Sequence, residues 1–356
     1  MDGRRPGVAF PADVPELIDT ATGLRLRALT EDDLPAVIEQ SNDPDTARWT
    51  TVPQPYGMAE ARAFLEQIQA KGWRDGSQAG FAVEVPIDGR PRYAGQLDLR
   101  FTEPGRGEVG FVTHPAMRGR GVMRAALGLL VPWAFATQGL HVIRWYAAVG
   151  NWGSRRAAEA AGFRHEGIGR HRVHLRTGDV DGWIASITPA DLTTPAPRWL
   201  SLPDLRGERV VLREPRETDA RRIGDSPAAG AALLERAREE RARRSAARFA
   251  LADPRTDACL GWVALHHLDQ PARRLSVDGF VHPDARGRGV ATEALRILTT
   301  YALAEWTTSI HLLVDTADPA GQRVAERAGW RRVGVLREAG PRPGRPAADL
   351  TLWAVP

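Results

Sequence analysis

The sequence predicts an α/β protein made of two tandem copies of one domain, each a mixed, mostly antiparallel sheet flanked by helices. Three observations predict it: the chain length, a long-period internal repeat, and the order of short strands and helices within each copy. The chain has 356 residues, which suits two domains of about 100–200 residues. GFVTHPAMRGRGV begins at Gly110 and GFVHPDARGRGV at Gly279, with Arg118 and Arg286 standing 168 residues apart. SRRAAEAAGFRHEGIGR begins at Ser154 and GQRVAERAGWRRVGVLR at Gly321, with Gly162 and Gly329 standing 167 apart. Solenoid repeats run about 20–50 residues, so this period is a domain duplication. Thr188 to Gly207 is rich in Pro and Thr and lacks periodicity, as linkers do. The expected organisation is a first domain over 1–190, a linker over 191–207 and a second domain over 208–356.

The elements of the first copy follow in order. Leu24 to Ala28 alternates apolar and charged residues and predicts a strand. Thr30 with Asp33 is a capping pair opening a helix to about Gln40. Met58 to Ala70 has helical apolar spacing. Phe81–Val85, Tyr93–Arg100 and Glu108–Val112 are short strands separated by Gly and Pro turns. An apolar helix runs from about Gly121 to Ala136, with Pro132 inside it as an expected kink. Val142–Ala147 is a strand, and Ser154–Ala161 is a helix closed by Gly162. Ile168–Val173 and Trp183–Ile187 complete the sheet. The second copy repeats this order, but it has no counterpart of Thr50 to Tyr56.

Composition bounds the function. Hydrophobic residues are 43% and charged residues 26%, as in globular proteins. No stretch approaches the roughly 18 apolar residues of a membrane span, and the first residues lack the apolar core of a signal peptide. The expectation is a cytoplasmic protein without membrane contact. Cys259 is the only cysteine, which excludes an internal disulfide and a cysteine zinc site; no metal is expected. His266 and His267 are adjacent, so they point to opposite strand faces and do not share a metal. The net charge is +4, with Asp and Glu interspersed among the arginines and no long run of one sign. That pattern argues against a nucleic-acid partner.

The strand–RGRG–helix unit carries the chemistry. The first backbone N–H groups of a helix have no internal partners and, with the helix dipole, form an anion site. Glycine lets a diphosphate approach the backbone closely. The unit is neither a Walker loop, for want of GK[ST], nor a dinucleotide fingerprint, for want of the third glycine.

These motifs resemble those of the GNAT superfamily of acetyl-CoA-dependent N-acetyltransferases, whose pyrophosphate signature is (Q/R)-x-x-G-x-(G/A). Arg286-Gly287-Arg288-Gly289-Val290-Ala291 matches it fully. Arg118-Gly119-Arg120-Gly121-Val122-Met123 departs only at the final Met, as in the ribosomal-protein (Rim-type) branch. NWGSRRAAEAAGF from Asn151 also resembles that branch. The resemblance implies that Phe111, Val112 and Thr113, with Val281 in the second copy, hold the pantetheine arm of acetyl-CoA and polarise its thioester. The two RGRG loops would bind the pyrophosphate. A primary amine, either a peptide N-terminus or a small molecule, would attack the thioester directly. Glu108 is the candidate base, Ser154 the candidate acid to the sulfur with Asn151 ordering its loop, and Tyr146 a reserve acid. Trp49 and Tyr56 are candidates for the acceptor pocket. In the second copy Val277 stands at the place of Glu108, and Asp318 and Gly321 at those of Asn151 and Ser154. That copy is expected to bind CoA without reacting, to replace a homodimer's second subunit, or to use another base. A monomer with pseudo-dimeric halves and a homodimer both fit. The alternative for the whole chain is a non-catalytic acyl-CoA-binding module.

Overall fold

The computed structural model describes residues 11, 13–196, 198–224, 226–270, 274–340 and 346–355. The chain divides into two compact units, Met1–Arg198 and Trp199–Pro356.

The first unit runs β1 (Leu17–Ile18), β2 (Arg25–Arg27), a 3-10 turn (Glu31–Asp33), α1 (Leu34–Asn42), α2 (Pro44–Trp49), α3 (Met58–Ala63), a π-helical stretch (Phe64–Ala70) and α4 (Lys71–Asp75). It continues through β3 (Gln78–Ile87), β4 (Arg90–Glu103), β5 (Arg106–Thr113), α5 (Val122–Thr137), β6 (Val142–Ala148), α6 (Trp152–Ala160), β7 (Arg164–Leu175) and β8 (Gly178–Ile187). The sheet order is β1-β2-β3-β4-β5-β6-β8-β7. Only the β5–β6 pair is parallel. Alternate residues of β3 to β6, among them Phe81, Leu97, Leu99, Val109, Ile143 and Trp145, join Met123, Leu127 and Leu130 of α5 in the main core. The opposite face of the sheet carries a smaller core of Leu34, Val37, Tyr56, Ala61 and Ala82 under α1 and α3.

The second unit runs β9 (Leu205–Arg206), β10 (Val211–Arg213), α7 (Ala220–Ile223), α8 (Pro227–Arg243), β11 (Ala246–Ala252), β12 (Cys259–His266), β13 (Arg274–Val281), α9 (Val290–Glu305), β14 (Ser309–Asp315), α10 (Pro319–Arg327), β15 (Arg331–Gly340) and β16 (Ala348–Ala354). Its order, β15-β16-β14-β13-β12-β11-β10-β9, repeats that of the first unit.

One ion-pair anchor is duplicated. Arg27 makes two hydrogen bonds to Asp33, and Arg213 makes two to Asp219. Each Asp also accepts the backbone N–H three residues before it, at Thr30 and Arg216. Arg27 and Arg118 are 91 residues apart, whereas Arg213 and Arg286 are 73 apart. The 18 missing residues fall between the anchor Asp and the strand that follows the helices, on the stretch that in the first unit builds the end of α1, α2 and the loop after it.

The structure corrects three details of the sequence reading. The segment around Asp43 holds the unforeseen helix α2; Asp43 accepts the Thr46 N–H at 2.9 Å and Pro44 takes the first helical position, the standard opening of a helix. The helix expected over Met58–Ala70 is α-helical only to Ala63 and then widens to π geometry. The strands expected at Ile168–Val173 and Trp183–Ile187 are longer. Helix α5 keeps Pro132 inside one continuous element, as the sequence places it.

Candidate active site

The parallel ladder between β5 and β6 ends at Val109–Trp145. Beyond it the two strands continue without pairing to each other, so they part at Gly110–Thr113 and Tyr146–Ala148. His114 N–H donates to Ala94 O on β4 at 3.0 Å. In an antiparallel pair backbone direction alternates along the strand, so Val112 also turns its amide and carbonyl toward β4. Phe111 and Thr113 turn theirs the other way, into the gap that β6 has left. Gly95 makes the neighbouring β4 approach possible: it sits at φ +146°, and any Cβ there would strike the Val112 carbonyl oxygen. The second unit repeats each feature. Its parallel ladder ends at Val277–Leu312, His282 N–H donates to Leu260 O at 2.8 Å, and Gly261 at φ +148° faces the Phe280 carbonyl. Gly279 and Val281 therefore face the second gap.

The chain then turns through the RGRG loop. Gly119 and Gly121 have φ of +74° and +73°, and Gly287 and Gly289 have φ of +73° and +79°. This is the left-handed region where L side chains are strained. A methyl group placed on Gly119, Gly121 or Gly287 would meet nothing within 4 Å, while at Gly289 the Arg209 side chain lies 3.4 Å away. The first helical bond of α5 runs from Ala125 N–H to Gly121 O at 3.1 Å. The amides of Val122, Met123 and Arg124 thus lack intrahelical acceptors. Open space, free donors and glycine backbone together suit a diphosphate. The Arg118 side chain is engaged elsewhere. It binds Asp43 at 2.5 Å, Thr46 Oγ1 at 3.0 Å and Asp45 at 3.4 Å, tying the loop to the start of α2. Against opposing burial, Arg118 holds the Asp43 carboxyl below its ordinary range. Arg286 instead donates to Val281 O at 3.0 Å.

Glu108 lies on the sheet face opposite α5, in register with Arg100 and Arg144, and pairs with Arg100 at 3.0 Å. Asp98, two residues before Arg100 on β4, completes the cluster at 3.4 Å from the same guanidinium. Asp98 is the register partner of Gly110, the first residue past the end of the β5–β6 ladder. Burial pushes its carboxyl up to about 6; Arg100 opposes the shift and Glu108 adds to it. The sequence reading missed Asp98, although Gln96, Asp98 and Arg100 alternate as the polar face of a strand it had placed. A charged residue in a strand flanked by Leu97 and Leu99 was the available signal.

Ser154 Oγ accepts the Trp145 indole N–H at 3.2 Å, which leaves the hydroxyl proton to be donated. Asn151 caps α6 by accepting the Ser154 N–H at 3.2 Å. Tyr146 lies under the Arg172 guanidinium, 3.9 Å from the ring centroid. Trp49, the last residue of α2, reaches the β6–α6 turn: a Cβ on Gly150 would lie 3.4 Å from its ring. Tyr56 is corrected from pocket wall to core. It is 5% exposed, its backbone is bracketed by Asn42 at 2.7 and 3.1 Å, and its hydroxyl donates to Glu60 O.

The second unit also corrects the alignment of the two copies. Gly261 faces Val281 as Gly95 faces Thr113. Counting back from these pairs, Ser276 occupies the place of Glu108, and Asp278 that of Gly110. The buried Val277 matches Val109, not Glu108. The GFV triplets that look identical are one residue out of phase, because the second copy lacks one residue before its His-Pro, and a one-residue slip exchanges the two faces of a strand. Asp318 caps α10 through the amides of Ala320 and Gly321, as Asn151 caps α6. A cavity of about 580 Å³ elsewhere in this unit, between α10 and the β15–β16 pair, contains none of these groups.

Among the described residues, no cluster of three or more His, Cys, Asp or Glu could hold a metal, and no helix is long and apolar enough to cross a membrane. Fold and site define a class: an α/β sheet with parted parallel strands beside a glycine loop that opens a helix. A family model described as an acetyltransferase (GNAT) domain matches residues 23–164 and 187–331, and the chain belongs to that family. Over 83 residues the chain is 39% identical to a probable N-acetyltransferase, YjcK, of Bacillus subtilis (strain 168). The match spans 23% of this chain and 46% of that relative, less than half its length. Among solved structures, RimJ of Mycobacterium smegmatis in complex with CoA-disulfide is 21% identical, covering 51% of this chain and 90% of its own, with a TM-score of 0.44. RimL, a ribosomal L7/L12 α-N-protein acetyltransferase in complex with coenzyme A, is 18% identical, covering 49% and 98%, with a TM-score of 0.42.

Proposed function

We propose that the chain transfers an acetyl group from acetyl-CoA to a primary amine, and that the first unit carries out this reaction. The observation that supports it most is the parting of β5 and β6 directly before an open glycine loop. The gap offers backbone groups of Phe111 and Thr113 to an extended arm, and the loop offers the amides of Val122 to Arg124 to its diphosphate. Acetyl-CoA bound there would supply the activated thioester.

An alkyl amine reaches a neutral solution mostly protonated, since its pKa is near 10.4. A proton acceptor must therefore stand beside the thioester. The sequence reading gives this role to Glu108, but the structure pairs Glu108 with Arg100. Asp98 is the better poised of the two, because its pKa lies near working pH and it sits in register with Gly110. In this reading Asp98 takes the amine proton, directly or through water, while Arg100 and Glu108 hold it in place. The N–C bond forms, the C–S bond breaks with its electron pair on sulfur, the sulfur takes a proton from Ser154, whose hydroxyl is oriented by Trp145, and the second proton that the nitrogen sheds on becoming an amide restores the Ser154 hydroxyl. The Phe111 and Thr113 amides can stabilise the developing oxyanion.

The resemblance of the Arg118–Met123 loop and of the segment from Asn151 to the Rim-type branch favours a peptide N-terminus as acceptor, with Trp49 on its approach. The chain would work inside the cell, without a metal and without a membrane or nucleic-acid partner. The test is turnover of acetyl-CoA with a panel of free-amino peptides and small amines. Release of CoA with one acceptor class, lost in Asp98→Asn while acetyl-CoA binding persists, is the expected result. Turnover unchanged in Asp98→Asn would remove Asp98 from the mechanism, and no turnover with any amine would favour a non-catalytic acyl-CoA-binding module.

A further inference from the structure

The corrected register gives the second unit a polar cluster of its own at the place of Asp98, Arg100 and Glu108. Val263, Leu265, Leu275, Val277 and Ile310 point into the main core of that unit, so the residues between them face the other way. On that other face, Ala264 stands at the position of Asp98, His266 at that of Arg100, Ser276 at that of Glu108 and Asp278 at that of Gly110. His266 Nε2 lies 2.7 Å from Asp278 Oδ1. The His266 side chain is 18% exposed and that of Asp278 54%, so the imidazole is the more covered of the pair. Asp278 is the first residue past the end of the β13–β14 ladder, as Gly110 is past that of β5–β6.

We propose that His266, oriented by Asp278, is the proton acceptor of a second acetyl-transfer site, in the second unit, acting on a primary amine. This rests on the reading of the parted strands and glycine loop as an acetyl-CoA site. An ionised carboxylate only accepts hydrogen bonds, so Asp278 fixes the proton on Nε2 and leaves the lone pair on Nδ1. The amine nitrogen bonds to the thioester carbon, one N–H proton passes to Nδ1, and the C–S bond breaks with its electron pair on sulfur. The imidazolium then returns that proton to the thiolate. This accounts for what the second unit lacks. Ser154 becomes Gly321. Tyr146 becomes Leu313, each of these two being the first residue past its parallel ladder. A histidine serves as acid once it has served as base, so no separate donor is needed.

The test uses the full chain with the first loop blocked by Gly121→Glu, assayed for CoA release from acetyl-CoA with a panel of free-amino peptides and small amines. The expected result is residual turnover that His266→Ala lowers by about a hundredfold and that added imidazole partly restores. Asp278→Asn lowers it less, by about tenfold. Rescue by imidazole separates a proton acceptor from a residue that merely supports the fold. Acetyl-CoA binding to the Gly121→Glu chain without any turnover, while the unmodified chain acetylates an amine, overturns the proposal and leaves the first-unit reading standing. Residual turnover that His266→Ala leaves intact also overturns it. An unmodified chain that acetylates no amine removes both readings together.

Discussion

The two units keep the same backbone at the proposed cofactor side and differ at the proposed acceptor side. Both have strands that part after one buried valine, a bulge glycine facing a strand carbonyl, and two left-handed glycines before a long helix. Nearly everything that would meet an amine has changed. The first unit sets Asp98, Arg100 and Glu108 against Ser154, while the second sets His266 against Asp278 and has glycine at the serine position. The first also carries α2 and Trp49, which fall in the stretch the second lacks. Backbone groups held by glycine tolerate divergence of side chains, so a duplicated chain can retain one ligand and alter the chemistry beside it.

The largest expected effect comes from breaking one cradle at a time. Gly121→Glu places a strained, negatively charged side chain where a diphosphate should lie. Acetyl-CoA affinity of the first unit should fall by more than about a hundredfold, as clashing like charges and left-handed strain together require. Equilibrium binding to Gly121→Glu and Gly289→Glu, side by side, checks whether the two cradles are equivalent.

Asp98→Asn should come next. If Asp98 accepts the proton, turnover of the first unit falls by about a hundredfold, with little change in acetyl-CoA affinity. In a chain carrying His266→Ala, so that only the first unit turns over, activity should rise with pH through about 6, where the half-buried Asp98 carboxyl ionises. A pH–rate profile without that limb would return the role to Glu108.

The same group makes a stability prediction of opposite sense. Its folded pKa lies above the ordinary value of about 3.9, so the fold holds the Asp98 proton more tightly than the unfolded chain does. Stability is then lost as pH rises from about 4 to about 6, and the cost is complete above that window. Asp98→Asn should therefore raise the melting temperature above pH 6 and change it little below pH 4. Thermal melts across this range check the sign.

Smaller still is the effect of untying the loop from α2. Asp43→Ala removes both the α2 cap and the Arg118 ion pair. A lost cap costs about 1 kcal/mol, and acceptor KM should rise several-fold while acetyl-CoA affinity holds. Steady-state kinetics separate the two. Ser154→Ala should be mildest, because a CoA thiol is acidic enough to leave with slight help; a few-fold fall in kcat is expected.

The sequence showed the duplication, the element order and both glycine loops because each is a local pattern. RGRG before an apolar run needs no tertiary contact to be read, and glycine at φ > 0 is its own signal. The acceptor side was less legible because it depends on strand register. Glu108 was visible, yet Arg100 and Asp98 join it only across a strand pair. Likewise, the GFV repeat invited a match of Val277 with Glu108 that is one residue out, hiding Ser276 and Asp278. His266 stands beside His267 in sequence, whereas its partner is Asp278, twelve residues away on the next strand. Tyr56 looked like a pocket residue beside Trp49; Asn42 draws its backbone into the α1–α3 core instead.

The most direct measurement is a calorimetric titration of the purified full chain with acetyl-CoA, which counts sites. The account predicts two sites per chain, one removed by Gly121→Glu and the other by Gly289→Glu. A single site, lost with Gly121→Glu and indifferent to Gly289→Glu, would contradict a working second unit and leave it as scaffold, and no binding at all would contradict the reading of both loops.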